Sequence, residues 1–118
     1  MDETVKSIIL TVDGERYELD FDRDSARFTE EHNVTLGRLT AGVPTAELVK
    51  DLFWCSFRKN HKRLTKMQTD AILEKMGGMS MKMFTRLTDL FTQAAYTGVI
   101  LNDDEDDKLK NPAVTVEM

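Results

Sequence analysis

The sequence predicts a single α+β domain that is mainly helical, in which an N-terminal β-hairpin packs on a bundle of about four helices. Residues 7–21 alternate apolar and polar side chains around an Asp-Gly pair, which is typical of a hairpin. Residues 44–76 contain two amphipathic helical patterns joined by a basic turn. A two-stranded hairpin and a one-faced helix cannot bury their apolar sides alone, so these elements must pack together.

Composition limits the size and the class of the protein. A chain of 118 residues with 41% hydrophobic side chains can bury one modest core. The formal net charge of -5 disfavours a dedicated duplex-DNA binder, which normally has a basic surface. One cysteine, Cys55, excludes an internal disulfide framework and is expected to be a small buried hydrophobe. No apolar run approaches the roughly 20 residues of a membrane span, and no basic region precedes a hydrophobic segment, so we expect a cytosolic protein without a membrane partner.

The hairpin has a predictable register. Asp13-Gly14 accepts the positive φ angles of a type I′ turn. The alternation then gives one apolar and one polar face. We expect the apolar face to lie on the helices, or the free edge to accept a strand from another chain. The predicted opposite pairs are Val12 with Glu15, Leu10 with Tyr17, and Ile8 with Leu19.

In the segment after the hairpin, apolar residues recur less regularly, but residues that can cap helices are present. Asp22 or Asp24 is expected to cap a short helix, and Thr35 a second one. Gly42 should end that second piece. Pro44 is then expected in the first turn of the next helix, where its missing N–H is harmless.

The first central helix carries a wide apolar stripe that we expect to face the core. Trp54 lies off this stripe, so it is either packed beneath the hairpin or exposed as an aromatic anchor for a partner. The stripe consists of Leu48, Val49, Leu52, Phe53, Ser56 and Phe57.

Two further helices complete the predicted bundle. Thr65 and Gln68 form a capping box at the start of the second central helix, and Gly77-Gly78 ends it. Ser80 can cap the last helix, which should end near Gly98. The apolar face of the second central helix is predicted from Met67, Ala71, Ile72 and Met76. That of the last helix is predicted from Met83, Phe84, Leu87, Leu90, Phe91 and Ala94.

The sequence divides into a folded domain, residues 1–101, and an acidic tail, residues 102–118. The tail opens with a block of carboxylates that repel one another and have nothing to bury. We therefore expect residues 102–118 to be disordered.

No motif indicates an enzyme. The two histidines, His32 and His61, lack neighbours at metal-ligand spacing, and there is no glycine-rich phosphate loop. The acidic pairs look solvated, whereas a general acid or base needs a desolvated carboxylate. We expect no catalytic residue, no metal and no cofactor.

Two features are compatible with binding. A basic cluster spans the turn between the two central helices, and it is either a solvated helix end or a site for phosphates or an acidic partner. A methionine-rich segment around the Gly-Gly break is either core filling or an adaptable apolar contact. The basic cluster consists of Arg58, Lys59, Lys62, Arg63 and Lys66, with His61 among them. The second segment consists of Met76, Met79, Met81, Met83 and Phe84.

The order of elements resembles the tail assembly chaperones of long-tailed, siphovirus-like bacteriophages. The resemblance covers residues 7–99 and is carried by "TAELVKDLFWCSFRKNHKRLTKMQTDAILEKMGG", in which Leu52-Phe53-Trp54 precedes a turn and Leu64-Thr65 opens the second helix. It implies a non-enzymatic, self-associating protein of the host cytoplasm that is absent from the mature virion. Such a protein binds the tape measure protein, keeps it soluble and assists polymerisation of the tail tube.

The resemblance also implies a C-terminally extended form that recruits the tail tube protein. The residues that we expect to carry partner contacts are Phe53, Trp54, Phe57, Met79, Met81 and Phe84. Two alternatives remain. One is a small nucleic-acid-binding regulator that uses the turn 58–66, and the other is a structural or adaptor protein of the virion.

Overall fold

A computed structural model describes residues 5–98. Within this range the chain forms two strands and five helices, which confirms the predicted hairpin and mainly helical α+β class. The second helix is a single turn, so four longer helices form the bundle. The elements are β1 (Ile8–Val12), β2 (Glu15–Leu19), α1 (Arg23–Glu31), α2 (Leu36–Leu39), α3 (Ala46–Ser56), α4 (Lys66–Met76) and α5 (Met81–Tyr96).

Two further predictions concern the C-terminal tail and the absence of a membrane-spanning helix. The predicted acidic tail, residues 102–118, lies outside the described residues. Between residues 5 and 98, no helix combines the length and the apolarity that crossing a bilayer requires.

The hairpin has the predicted register. Leu10 is opposite Tyr17 and Ile8 is opposite Leu19 in an antiparallel pair. Asp13 and Gly14 have φ angles of 52° and 82°, as a two-residue turn with left-handed backbone requires. The apolar face therefore points towards the helices, where Leu19 is fully buried.

Short polar side chains begin the helices. The hydroxyl or carboxylate of each capping residue accepts a hydrogen bond from a backbone N–H three residues later, which confirms the predictions for Asp22, Thr35, Thr65 and Ser80. The prediction for Pro44 is wrong. Thr45 caps α3 instead, by accepting from the N–H of Leu48, so the proline precedes the cap and lies outside the first turn.

The core lies where α3 and α5 meet the hairpin and α1. Edge-to-face ring pairs join Phe53 to Phe57 with centroids 4.9 Å apart, Tyr17 to Phe57 at 5.5 Å, and Phe21 to Phe91 at 5.7 Å. The predicted α3 stripe is confirmed. Its fully or almost fully buried members are Leu48, Leu52, Phe53, Ser56 and Phe57.

The predicted apolar face of α4 is partly wrong. Met67 is 81% exposed and Ala71 is also exposed, whereas Thr69 and Leu73 are buried. Positions two apart on an α-helix lie about 200° apart, so burying Thr69 turns Met67 to solvent. The threonine tolerates burial because its hydroxyl donates a 3.1 Å hydrogen bond to the carbonyl of Lys66.

Candidate functional site

Three of the six predicted contact residues belong to the interior. Phe53, Phe57 and Phe84 are 0%, 1% and 6% exposed. Their side chains hold α3 and α5 against the rest of the fold and do not reach the surface. As partner contacts these three stay a prediction that their burial disfavours, since binding them would require the core to open.

The methionines near the Gly-Gly break have different environments. Met79 and Met83 are half-buried against the core, but Met81 is 63% exposed in the first turn of α5. Gly77 and Gly78 have φ angles of 79° and 103°, which turn the chain sharply between α4 and α5. This turn exposes the start of α5 next to the hairpin.

An apolar cleft of about 270 Å³ lies between β1 and the start of α5. We call it the β1–α5 cleft. Ile8 and Leu10 project into it from the apolar face of the hairpin, and Met83 borders it from α5. Two cations on its rim come from the same helix. The complete lining is Ile8, Leu10, Ser80, Lys82, Met83 and Arg86.

Local structure holds both walls of the β1–α5 cleft. Ser80 caps α5 by accepting the N–H of Met83 at 3.1 Å, and Phe84 and Leu87 bury the inner side of the helix. The pairing of β1 with β2 orients Ile8 and Leu10 in the same direction. The cleft is therefore preformed, while the flexible side chain of Met83 can adapt to a ligand.

The basic cluster is largely occupied by contacts within the chain. The Nζ of Lys59 lies 2.6 Å from the Oδ2 of Asp20, and this hydrogen bond raises the pKa of Lys59. The Nζ of Lys66 lies 2.6 Å from carboxylate oxygens of both Asp51 and Glu47, which raise its pKa in the same way.

Arg58 and His61 also have structural contacts. The guanidinium carbon of Arg58 lies 4.4 Å from the centroid of the Phe28 ring, as in a cation–π pair. The Nε2 of His61 accepts a 3.0 Å hydrogen bond from the backbone N–H of Glu18. The amide of Asn60 donates to the carbonyl of Glu18 at 3.2 Å. The turn thus fastens the hairpin to the helices.

Lys62 and Arg63 are the members of the cluster that remain available. Both are exposed, and within residues 5–98 neither forms an ion pair. They border a cleft of about 280 Å³, the aromatic cleft, together with Phe28 and Trp54. Its remaining lining residues are Arg58, Leu64, Thr65 and Lys66.

Trp54 packs against α1. Its ring lies 5.2 Å from that of Phe28 and 5.0 Å from that of His32, both in edge-to-face geometry. The expectation that it packs beneath the hairpin is therefore wrong. The half-buried indole borders the aromatic cleft, so the alternative interpretation, an aromatic anchor, stays a prediction.

The thiol of Cys55 is buried. The residue is 0% exposed, and burial raises the pKa of its thiol to about 12. A thiol with that pKa stays protonated at neutral pH and is a poor nucleophile. In the part of the chain that the structure describes, no three His, Cys, Asp or Glu side chains are grouped so that they could hold a metal ion.

The β1–α5 cleft contains residues that sequence reasoning did not select as a site. Ile8 and Leu10 were assigned to the apolar face of the hairpin, and Met83 to that of the last helix, but nothing local shows that the two faces leave a gap. No sequence pattern marked Lys82 and Arg86 as site residues, because their position at the cleft depends on residues of β1 that are more than 70 positions away in the sequence.

The fold and these surfaces define a small, mainly helical α+β protein with a preformed apolar cleft and a separate basic turn. The chain belongs to the family described as "Domain of unknown function (DUF5055)", whose sequence model matches residues 1–118. No match was found among curated proteins or among solved structures.

Proposed function

We propose that this protein is a tail assembly chaperone that binds helical segments of a tape measure protein in the β1–α5 cleft. In this proposal it keeps the tape measure protein soluble and assists polymerisation of the tail tube around it. The protein acts without a cofactor and without catalysis. It works in the host cytoplasm and leaves before the virion matures.

The observation that carries the proposal is the apolar cleft, which a methionine borders. Ile8, Leu10 and Met83 form an apolar wall of this cleft. An amphipathic helix binds such a groove through apolar residues at three- and four-residue spacing. Methionine suits a chaperone because its flexible side chain packs against many different sequences.

The cations at the β1–α5 cleft favour a partner helix with acidic side chains. Lys82 and Arg86 border the cleft on the side of α5. A helix whose polar face carries Glu or Asp would place carboxylates near them, which favours encounter and orientation more than tight binding. A C-terminally extended form that recruits the tail tube protein completes the proposal.

Co-expression tests the proposed function. The protein is produced together with the tape measure protein of its gene cluster, and the soluble fraction is analysed by size-exclusion chromatography with light scattering. We expect a soluble complex with several copies of this chain per partner. An insoluble partner and a free small protein would reject the proposal.

A pair of methionine variants localises the binding surface. Met83→Lys places a charge in the β1–α5 cleft and should weaken the complex about tenfold. Met67→Lys makes the same change in the first turn of α4, where the side chain is 81% exposed, and should leave binding unchanged. Equal effects of the two variants would exclude the cleft as the binding site.

Nucleic-acid binding is a second candidate function, favoured by the aromatic cleft. Lys62 and Arg63 are available for phosphates, and Trp54 borders the same cleft, where a base could stack. Binding of single-stranded DNA or RNA should then quench the fluorescence of Trp54. The quenching should decrease as the salt concentration rises. Lys62→Glu with Arg63→Glu should abolish binding, whereas Arg16→Glu on the exposed side of β2 should not.

A structural or adaptor role in the virion makes a different prediction. The chain would then be present in purified mature particles, whereas the chaperone proposal predicts its absence. Quantitative mass spectrometry of such particles separates the two.

A further inference from the structure

The C-terminal part of the outer edge of β2 is covered by the rest of the fold. The N–H of Glu18 donates to His61 and its carbonyl accepts from Asn60, so both backbone groups of this residue are satisfied. The N–H of Asp20, just after the strand, donates to the carbonyl of Ser56 at 3.1 Å. No further strand can pair with β2 at these positions.

Within residues 5–98, no other strand pairs with the outer edge of β1. Ile9 is opposite Glu18 in the hairpin. The N–H and C=O of Glu18 point away from β1, so this is a non-hydrogen-bonded pair, and the N–H and C=O of Ile9 point away from β2. Thr11, two residues further on, has the same orientation. Among residues 5–98, neither Ile9 nor Thr11 has a partner for these groups.

The free edge lacks the usual protection against pairing. Exposed edge strands are normally protected by charged side chains, proline or a bulge. The segment Ser7–Val12 contains no charge and no proline, and its pairing with β2 is regular. Ile9 is 47% exposed on the outer face.

We propose that β1 pairs with β1 of a second copy, antiparallel and centred on Leu10. The two hairpins then form one four-stranded sheet with a two-fold axis at Leu10. In this register Ile9 of each copy is opposite Thr11 of the other, and each pair exchanges two N–H···O=C bonds. All the free groups of Ile9 and Thr11 are thereby satisfied.

Self-complementarity selects a second copy as the occupant. The register centred on Leu10 is the one in which all five residues of each β1 are paired, and no like charges meet along the strand. An isologous contact of this kind closes as a dimer.

The pairing stands independently of the proposed function, but it affects the same surface. Leu10 lies on the two-fold axis and also lines the β1–α5 cleft. The clefts of the two copies therefore lie on one face of the joint sheet and meet at the axis. A dimer would offer a partner helix a longer groove than one chain does.

Edge variants of the full chain test the pairing by sedimentation over a range of concentrations. The wild type should be dimeric, and Thr11→Glu, which faces Arg16 within its own hairpin, should weaken the dimer about tenfold or more because it adds an anion to each of two strand pairs. Thr11→Val keeps a β-branched side chain without charge and should preserve the dimer. A wild type that stays monomeric throughout, or a dimer that Thr11→Glu leaves intact, would overturn the proposal.

Two further measurements test the register. Leu10 of one copy is predicted to face Leu10 of the other in a non-hydrogen-bonded pair, with Cβ atoms roughly 4.5–5.5 Å apart. Leu10→Cys in a Cys55→Ala background should therefore form an intermolecular disulfide on oxidation. Ile8→Cys in the same background should not, because Ile8 faces Val12. The amides of Ile9 and Thr11 should resist hydrogen exchange in the dimer. Protection of those amides in a monomer would instead show that another segment of the same chain covers the edge, and would refute the pairing.

Discussion

The backbone N–H of Glu18 donates a 3.0 Å hydrogen bond to the Nε2 of His61, which follows it by 43 residues. The imidazole also packs edge-to-face on Tyr17, with ring centroids 5.3 Å apart. This contact fastens the hairpin to the turn after α3 and covers the end of one sheet edge. It gives the turn a structural role that its basic composition alone does not indicate.

Replacing His61 should loosen the hairpin. His61→Ala removes the acceptor of the Glu18 N–H and the ring beneath Tyr17, and we expect a loss of about 1–3 kcal/mol in the free energy of unfolding. Hydrogen exchange at the Glu18 amide should accelerate in the same variant. Lys62→Ala, at the exposed neighbouring position, should change stability by less than about 0.5 kcal/mol. Similar stabilities of the two variants would contradict the proposed role of His61.

The orientation of α4 can be tested by a matched pair of truncations. Leu73 is 7% exposed, so Leu73→Ala should cost about 2–5 kcal/mol through lost burial and a residual cavity. Met67 is 81% exposed, so Met67→Ala should be within about 0.5 kcal/mol of the wild type. Chemical denaturation measures both. A larger loss for Met67→Ala would mean that the helix is rotated by about half a turn relative to the structure.

Cys55 should make stability depend on alkaline pH. Burial raises the pKa of the folded thiol from its ordinary 9.0 to about 12, so only the unfolded chain releases this proton between those values. The thiol's contribution to stability is therefore present below pH 9 and is lost as pH rises above it. From pH 8 to pH 10, the stability advantage of the wild type over Cys55→Ala should shrink by about 1 kcal/mol. An advantage that stays constant would show that the folded thiol titrates normally.

The local parts of the fold could be predicted from the sequence. The Asp13-Gly14 turn fixes the hairpin register, since the count of residues from a two-residue turn determines every opposite pair. The caps at Asp22, Thr65 and Ser80 depend on residues within one helical turn. The amphipathic stripe of α3 was strong enough to identify its buried face.

The failures came where the outcome depends on distant residues or on competing local signals. On α4, Met67 is more hydrophobic than Thr69, but Thr69 is the buried residue. Its hydroxyl can be buried because it donates a hydrogen bond to a backbone carbonyl of the same helix. Pro44 and Thr45 both suit a helix start, and the side-chain cap of Thr45 prevailed. The contact of His61 with Glu18 and the β1–α5 cleft depend on the tertiary packing, which no local pattern encodes.

Methyl NMR of the tape measure complex tests the proposed binding surface most directly. With methyl-labelled methionine and a labelled indole, Met83 reports on the β1–α5 cleft, Trp54 on the aromatic cleft, and Met67 on the exposed side of α4. Addition of an amphipathic segment of the tape measure protein should shift or broaden the methyl signal of Met83 and leave the methyl signal of Met67 and the indole signal of Trp54 in place. A shift at Trp54 with unchanged methionine signals would contradict the account and assign binding to the basic turn.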